Sequence, residues 1–206
     1  MDIITIDFES FYSQSYSLSK LTTEEYVRGK EFEVIGVAVQ VNDGEPEWFS
    51  GGYHDIHQFL KRYDWVNSLA LAHNAVFDGA ILSWIFNIQP KGWLDTLSMG
   101  RALHGTEVGG SLKVMAEFYG IGEKGTEVHN FINYFRKDFS PEQLAAYGSY
   151  CKNDVALTWQ LFQHMSADFP PTELRLIDLT IRMLTEPVLQ LDRDVLRHHL
   201  QFVQIR

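Results

Sequence analysis

Apolar residues recur along the chain at two periods, one of two residues and one of three to four, and the switches between them mark the expected elements. Residues 3–7 (Ile-Ile-Thr-Ile-Asp) read as a short buried strand ending at the acid Asp7, and residues 32–41 alternate as a strand does. Asn42-Asp43-Gly44 is a hairpin signal leading into a third strand through Trp48 and Phe49. His54 to Tyr63 reads as a helix, and Ser68 to Ala72 as a strand of small buried residues. Val76, Ile81, Trp84 and Ile85 fall at helical spacing. Trp93-Leu94 is a further short strand, followed by a helix Leu97–Leu103 that Asp95 or Thr96 can cap. Ser111 opens a helix stopped by Gly120, and Ser140-Pro141 opens a long one reaching about Met165. Early strands, then interleaved and finally dominant helices, predict an α/β layered domain.

Pro170-Pro171 punctuates this pattern and divides the chain into an expected domain over 1–170 and a helical segment over 171–206. In that segment residues 174–183 read as a helix and Pro187 to Leu191 as extended chain. Asp192 then caps a last helix with Leu196, Leu200 and Val203 on one face. The His198-His199 pair lies on that helix without a third ligand nearby in sequence, and reads as an exposed face.

Composition narrows the class. The 206 residues are 45% hydrophobic, enough for a real core. No apolar run approaches the ~20 residues needed to span a bilayer, so no membrane role is expected. The one cysteine, Cys151, excludes an intrachain disulfide and suits a reducing cytoplasm, where the chain is expected to work. No basic leader or cleavage site is visible at the N-terminus. A net charge of −10 argues against simple electrostatic binding of nucleic acid, and residues 171–206 contribute nothing to it, with five acids and five bases. An acidic domain that handles phosphates needs divalent cations to invert the local sign.

The carboxylates fall in suggestive places. Asp7 and Glu9 lie two apart, so in extended chain their side chains share one face, where a divalent cation would relieve their repulsion. Asn74 and Asp78 follow the small-residue strand, where helix capping is the plain alternative. Tyr150 and Asp154, four apart in the long helix, share a face, and an aspartate in mid-helix calls for a reason.

Taken in order on strand, helix start and late helix, these three pairs resemble the exonuclease motifs of the DEDD superfamily. They are closest to its tyrosine-bearing branch, as in the proofreading domain of DNA polymerase I-type (family A) enzymes. A histidine-bearing member would carry His where this chain has Ser149. Leu94–Met99 and Ser111–Gly120 are similar to connecting helices of such domains in phage polymerases, and Glu186–Asp192 to the passage into the polymerase. The resemblance covers about residues 1–165. An insert, Tyr12–Lys30, departs from it.

The resemblance implies a ribonuclease H-like fold, a mixed central sheet flanked by helices, with two Mg²⁺ or Mn²⁺ ions held by Asp7, Glu9, Asp78 and Asp154. Two ions about 3.5–4 Å apart would activate water and steady the leaving 3′-oxygen. Asp7 would bridge them, Glu9 and Asp154 would complete one ion, and Asp78 would reach the other. Tyr150 would orient the attacking water, since a phenol of pKa about 10 is a hydrogen-bond partner rather than a base. Ser10, Asn74 and Phe77 are the candidate substrate contacts, with Phe8 expected to alternate away from the acids. Cys151 is expected as a small core residue on another face from Tyr150. The implied partners are a single-stranded DNA 3′ end and a polymerase region C-terminal to this chain. Two other readings stand beside proofreading: a freestanding exoribonuclease similar to ribonuclease D, and an inactive nuclease fold used for interaction.

Overall fold

The computed structural model describes residues 1–122, 131–167, 169–186 and 191–204. A five-stranded sheet runs in the order β3-β2-β1-β4-β5. Its strands are β1 (Ile3–Ser10), β2 (Val34–Val41), β3 (Glu47–Phe49), β4 (Leu69–Ala72) and β5 (Gly92–Asp95). β1 pairs antiparallel with β2 and parallel with β4, so the sheet is mixed. The expected hairpin joins β2 to β3, with Asn42 at φ 48° and Gly44 N–H donating to Val41 O at 2.9 Å.

Helices α1 (Thr23–Val27), α2 (Tyr53–Leu60), α3 (Ala75–Ala80), α4 (Thr96–His104), α5 (Leu112–Tyr119), α6 (Pro141–Ser166) and α7 (Pro171–Thr185) surround the sheet, and α8 (Arg193–Gln204) follows them. Most of the expected caps are in place. Ser140 caps α6 with Pro141 following it, Ser111 caps α5, and Gly120 closes α5 at φ 65°. Asp192 Oδ1 accepts from the Asp194 and Val195 amides at the start of α8. Two details differ from the sequence pattern. α3 does not run on regularly but passes into a π-turn over Ile81–Ile85. β1 does not end at Asp7 but continues to Ser10, with a bulge at Glu9/Ser10 where its register against β2 shifts.

The period of two in β1 divides two faces. Ile4, Ile6 and Phe8 pack with Val37 and Val39 of β2 and with Ile56, Leu60 and Phe86 in one core. Burial of each such side chain contributes roughly 1.5–3 kcal/mol. Asp7 and Glu9 point to the other face, which α6 covers. Asp7 is opposite Ala38, and Ala38 packs with Cys151 and Val155 of α6. Close approach is possible because residue 148 is glycine: a Cβ there would lie 2.3 Å from the Trp48 indole.

α7 docks on the edge strand β5. Asp178 accepts the Trp93 amide at 2.8 Å, and Ser83 Oγ and Trp84 Nε1 donate to Thr185 O at 2.9 and 2.8 Å. α8 buries none of its residues, and Leu196, Leu200 and Val203 stand exposed with His198 and His199. The expected extended stretch Pro187–Leu191 lies outside the described residues except for Leu191. Among the described residues no helix is long and apolar enough to cross a membrane.

Candidate active site

Asp7 and Glu9 occupy the central strand, and both face α6. Cys151 donates its thiol to Asp7 Oδ2 at 3.3 Å, across 144 residues of chain. Carboxylate oxygens of Asp7 and Glu9 and the Cys151 sulfur all fall within 4.8 Å of one another. The thiol is not the ligand of choice, because burial and then the Asp7 charge push its pKa well above the ordinary range and keep it protonated. Cys151 is a core residue as expected, but it does not turn to another face: it lies with Tyr150 on the side of α6 that meets β1 and reaches toward the acids. Its thiol packs directly beneath Asp7, a contact the sequence does not announce.

One turn of α6 places Tyr150 and Asp154 on the stripe facing β1. Burial, then Asp154, Glu9 and Asp7 in that order, raise the Tyr150 phenol well above its usual range. Asp154 itself is 4% exposed.

Asp78 enters from α3. It is 2% exposed, and its Oδ1 accepts the Phe8 amide at 3.0 Å. Asp78 stands in the first turn of α3, as the capping alternative has it, and its carboxylate also reaches across to β1. Burial first, and then Asp7, raise its pKa well above the usual carboxylate value. A carboxylate this deep beside a second one is costly to ionise unless a cation accompanies it. Among the described residues, Asp7 and Glu9 bring oxygens within 4.8 Å of one another and of the Cys151 sulfur, whereas Asp78 and Asp154 stand outside that group; carboxylate oxygens are hard donors of the kind that suits Mg²⁺ or Mn²⁺.

Asn74 takes the N-cap position just before α3 in the left-handed region, at φ 73° and ψ 52°, with no cap bond from its side chain, and the residue stays exposed. The cap comes instead from Asp95. Its Oδ1 accepts from the Asn74, Ala75 and Leu97 amides at 2.8, 3.3 and 3.1 Å, and its Oδ2 from Ser98 N and Oγ at 3.3 and 2.6 Å. A single buried carboxylate thus fixes the starts of both α3 and α4. Sequence alone offers Asp95 or Thr96 as the cap of α4; the structure uses Asp95, and its hold on α3 is missed. His73 adds a second tie, Nε2 to Gly110 O and Nδ1 to Thr96 Oγ1, each 2.9 Å. Since a carbonyl only accepts, Nε2 carries the proton.

Ser10 and Phe77 meet at a cavity of about 250 Å³ beside Glu9, which also touches Tyr12, Leu18 and Tyr147. Ser10 Oγ lies 3.0 Å from the Tyr26 hydroxyl, and Phe77 is half-buried with its ring 5.9 Å from that of Tyr26. Phe8 alternates away as expected and stacks on Phe86, while Phe11 is buried against Phe135 at 3.9 Å. The insert after the first motif forms one wall. Its Tyr26 hydroxyl donates to Phe11 O, its Tyr16 hydroxyl to Tyr26 O, and α1 rests on α3. It braces the chain just beyond Glu9. A larger cavity of about 560 Å³, lined in part by Arg28, Tyr53 and Arg136, contains none of the four carboxylates.

With this geometry, the molecule has the ribonuclease H-like fold of 3′–5′ exonucleases. It is similar to NrnC of Brucella melitensis with bound Mg²⁺, at TM-score 0.59 and 16% identity over 90% of this chain and 84% of that one. Against RNase D of Trypanosoma brucei in complex with RNA U12 the TM-score is 0.63 and the identity 15%, covering 92% and 66%. Against the family B DNA polymerase of the archaeon Pyrobaculum calidifontis it is 0.58 and 16%, covering 81% of this chain and 24% of the polymerase. No protein-family model matches the chain, and no curated protein matches it.

Proposed function

We propose that this chain is a 3′→5′ exonuclease that removes nucleoside monophosphates from a single-stranded 3′ end with the help of two divalent cations. The observation that carries the reading is the convergence of β1 and α6. Their meeting turns the α6 stripe of Tyr150 and Asp154 toward Asp7 and Glu9, whose oxygens lie within 4.8 Å of one another, and Asp78 takes the Phe8 amide between those two acids. Asp7, Glu9, Asp78 and Asp154 would hold the cations, which supply Lewis acidity at the scissile phosphate when bound. Tyr150 stays protonated at neutral pH, so its hydroxyl orients water rather than removing a proton. Ser10 and Phe77 border the cavity beside Glu9, and Asn74 offers an exposed amide at the start of α3. Phe77 can stack on a terminal base whatever its sequence.

The finer reading is proofreading of DNA for a family A polymerase lying C-terminal to this chain. It is supported by the ordered motifs and by the exposed apolar side chains of α8. The freestanding, RNase D-like reading is supported by the likeness to NrnC and RNase D over most of this chain. Release of mononucleotides from a 5′-labelled oligonucleotide, with Mg²⁺ or with chelator, tests the activity. Asp7→Ala and Asp154→Ala should each abolish it while leaving the fold intact. Near-wild-type cleavage by either variant would refute the metal-site assignment. Matched DNA and RNA strands then separate the two readings, because only RNA offers a 2′-hydroxyl.

A further inference from the structure

Tyr147 lies one turn of α6 before Tyr150, on the same stripe as Tyr150, Cys151 and Asp154. Its residue is fully buried, and its hydroxyl has no hydrogen-bond partner of normal geometry. A buried phenol oxygen left in this state is rare and calls for an explanation. The ring needs none: it stacks on Phe139 at 5.4 Å and meets Trp48 edge-on at 6.3 Å. The hydroxyl stands beside the Glu9 carboxylate, within its electrostatic and near hydrogen-bonding reach, and both border the cavity at the strand end.

We propose that Tyr147 is a positioning residue for Glu9: its hydroxyl donates to one carboxylate oxygen of Glu9 when a cation is taken up, leaving the other oxygen to the ion. Glutamate has one more rotatable bond than aspartate, so it loses more freedom when it is fixed at a site. A donor on the rigid face of a 26-residue helix limits that loss. Tyr150, one turn further along the same stripe, stands within electrostatic reach of Asp154.

This inference rests on Glu9 being a cation ligand, and the experiment separates the two claims. Mn²⁺ binding is measured by calorimetry for the wild type, Tyr147→Phe, Glu9→Gln and the double variant, with metal-free melting temperatures alongside. Tyr147→Phe keeps the ring and removes an unpartnered oxygen, so its metal-free melting temperature should be unchanged or raised. Its Mn²⁺ affinity should fall about 10-fold or more, in the range usual for groups that orient a ligand. Cleavage by Tyr147→Phe should recover toward wild type as Mn²⁺ is raised, with KM for the oligonucleotide unchanged. In the Glu9→Gln background the same change should do nothing further to Mn²⁺ affinity. Unaltered Mn²⁺ affinity in Tyr147→Phe, beside a weakened Glu9→Gln, overturns the positioning role alone. A fall of several degrees in the metal-free melting temperature also overturns it, by making the hydroxyl structural. Wild-type Mn²⁺ affinity in Glu9→Gln removes the ligand assignment on which both depend.

Discussion

Asp95 offers a test of how the site is held that needs no cation and no substrate. Its two oxygens divide their work: Oδ1 takes three amides at the starts of α3 and α4, and Oδ2 takes the Ser98 amide and hydroxyl. An N-cap replaced by alanine costs about 0.5–2 kcal/mol for one helix. Asp95→Ala removes the cap of two, and leaves amides at a site only 3% exposed without their acceptor, so a loss of about 2–4 kcal/mol is expected. For a chain of this size that lowers the melting temperature by roughly 5–15 °C. Asp95→Asn can present its carbonyl to one set of donors only, and its amide then faces the other set, so about half the loss should remain. Urea unfolding of the three proteins, with m-values compared, measures both differences. Asp95→Ala within about 0.5 kcal/mol of wild type would refute the double-cap reasoning, using the ordinary scatter of surface substitutions as the yardstick. Equal losses for Asn and Ala would refute the division of labour between the oxygens. Because Asp78 sits on α3, cleavage should fall in the same order as stability.

Asp78→Asn tests the raised carboxylate. Folding lifts the pKa of Asp78 above the unfolded value of about 3.9, so its stabilising proton is fully in place below that pH and is lost as pH rises through the folded pKa. The metal-free variant should therefore gain melting temperature over wild type at pH 7 to 8 and gain little at pH 4; a difference independent of pH would contradict this. Tyr150→Phe should slow cleavage less than Asp154→Ala, because it removes a hydrogen bond and not a cation ligand; equal inactivity with cations still bound would give the hydroxyl a larger role. Gly148→Ala would drive a Cβ into Trp48, at a cost of about 1–3 kcal/mol, and should reduce cleavage by lifting α6 from the sheet; urea unfolding and a cleavage assay check both. α8, with every described residue exposed, should exchange its amides quickly in the isolated chain; strong protection over residues 193–204 would show that something covers it.

Much of this architecture is legible in the sequence because caps and periods are local. Ser111, Ser140 with Pro141, Gly120 and Asp192 all act within four residues of themselves, and all are found where the pattern puts them. The end of β1 is not legible in this way. Two acids on alternate positions interrupt its apolar run, and their inward orientation becomes sensible only once α6 faces them. The π-turn after α3 leaves no mark in a helical period. Asp95 is visible as a cap for α4, whereas its bond to Asn74 depends on β4 and β5 lying side by side. The insert has no clear period at all. Its Tyr16 and Tyr26 are buried through hydroxyls that answer backbone carbonyls, a tertiary arrangement that a hydrophobic pattern cannot encode.

The long separation between Asp7 and Cys151 has a bearing on the order of assembly. β1 is among the first residues of the chain, and α6 reaches it only across 144 residues. Closing so long a loop is an entropic cost that must be met before the contact rewards it. A chain that has not yet formed α6 has Asp7 and Glu9 but neither Tyr150 nor Asp154 beside them, and Asp78 finds its Phe8 amide only when α3 is seated on β1. Cation uptake at this cluster would therefore report that the sheet and α6 are already joined. Cations would lock a finished domain and could not recruit an unfinished one.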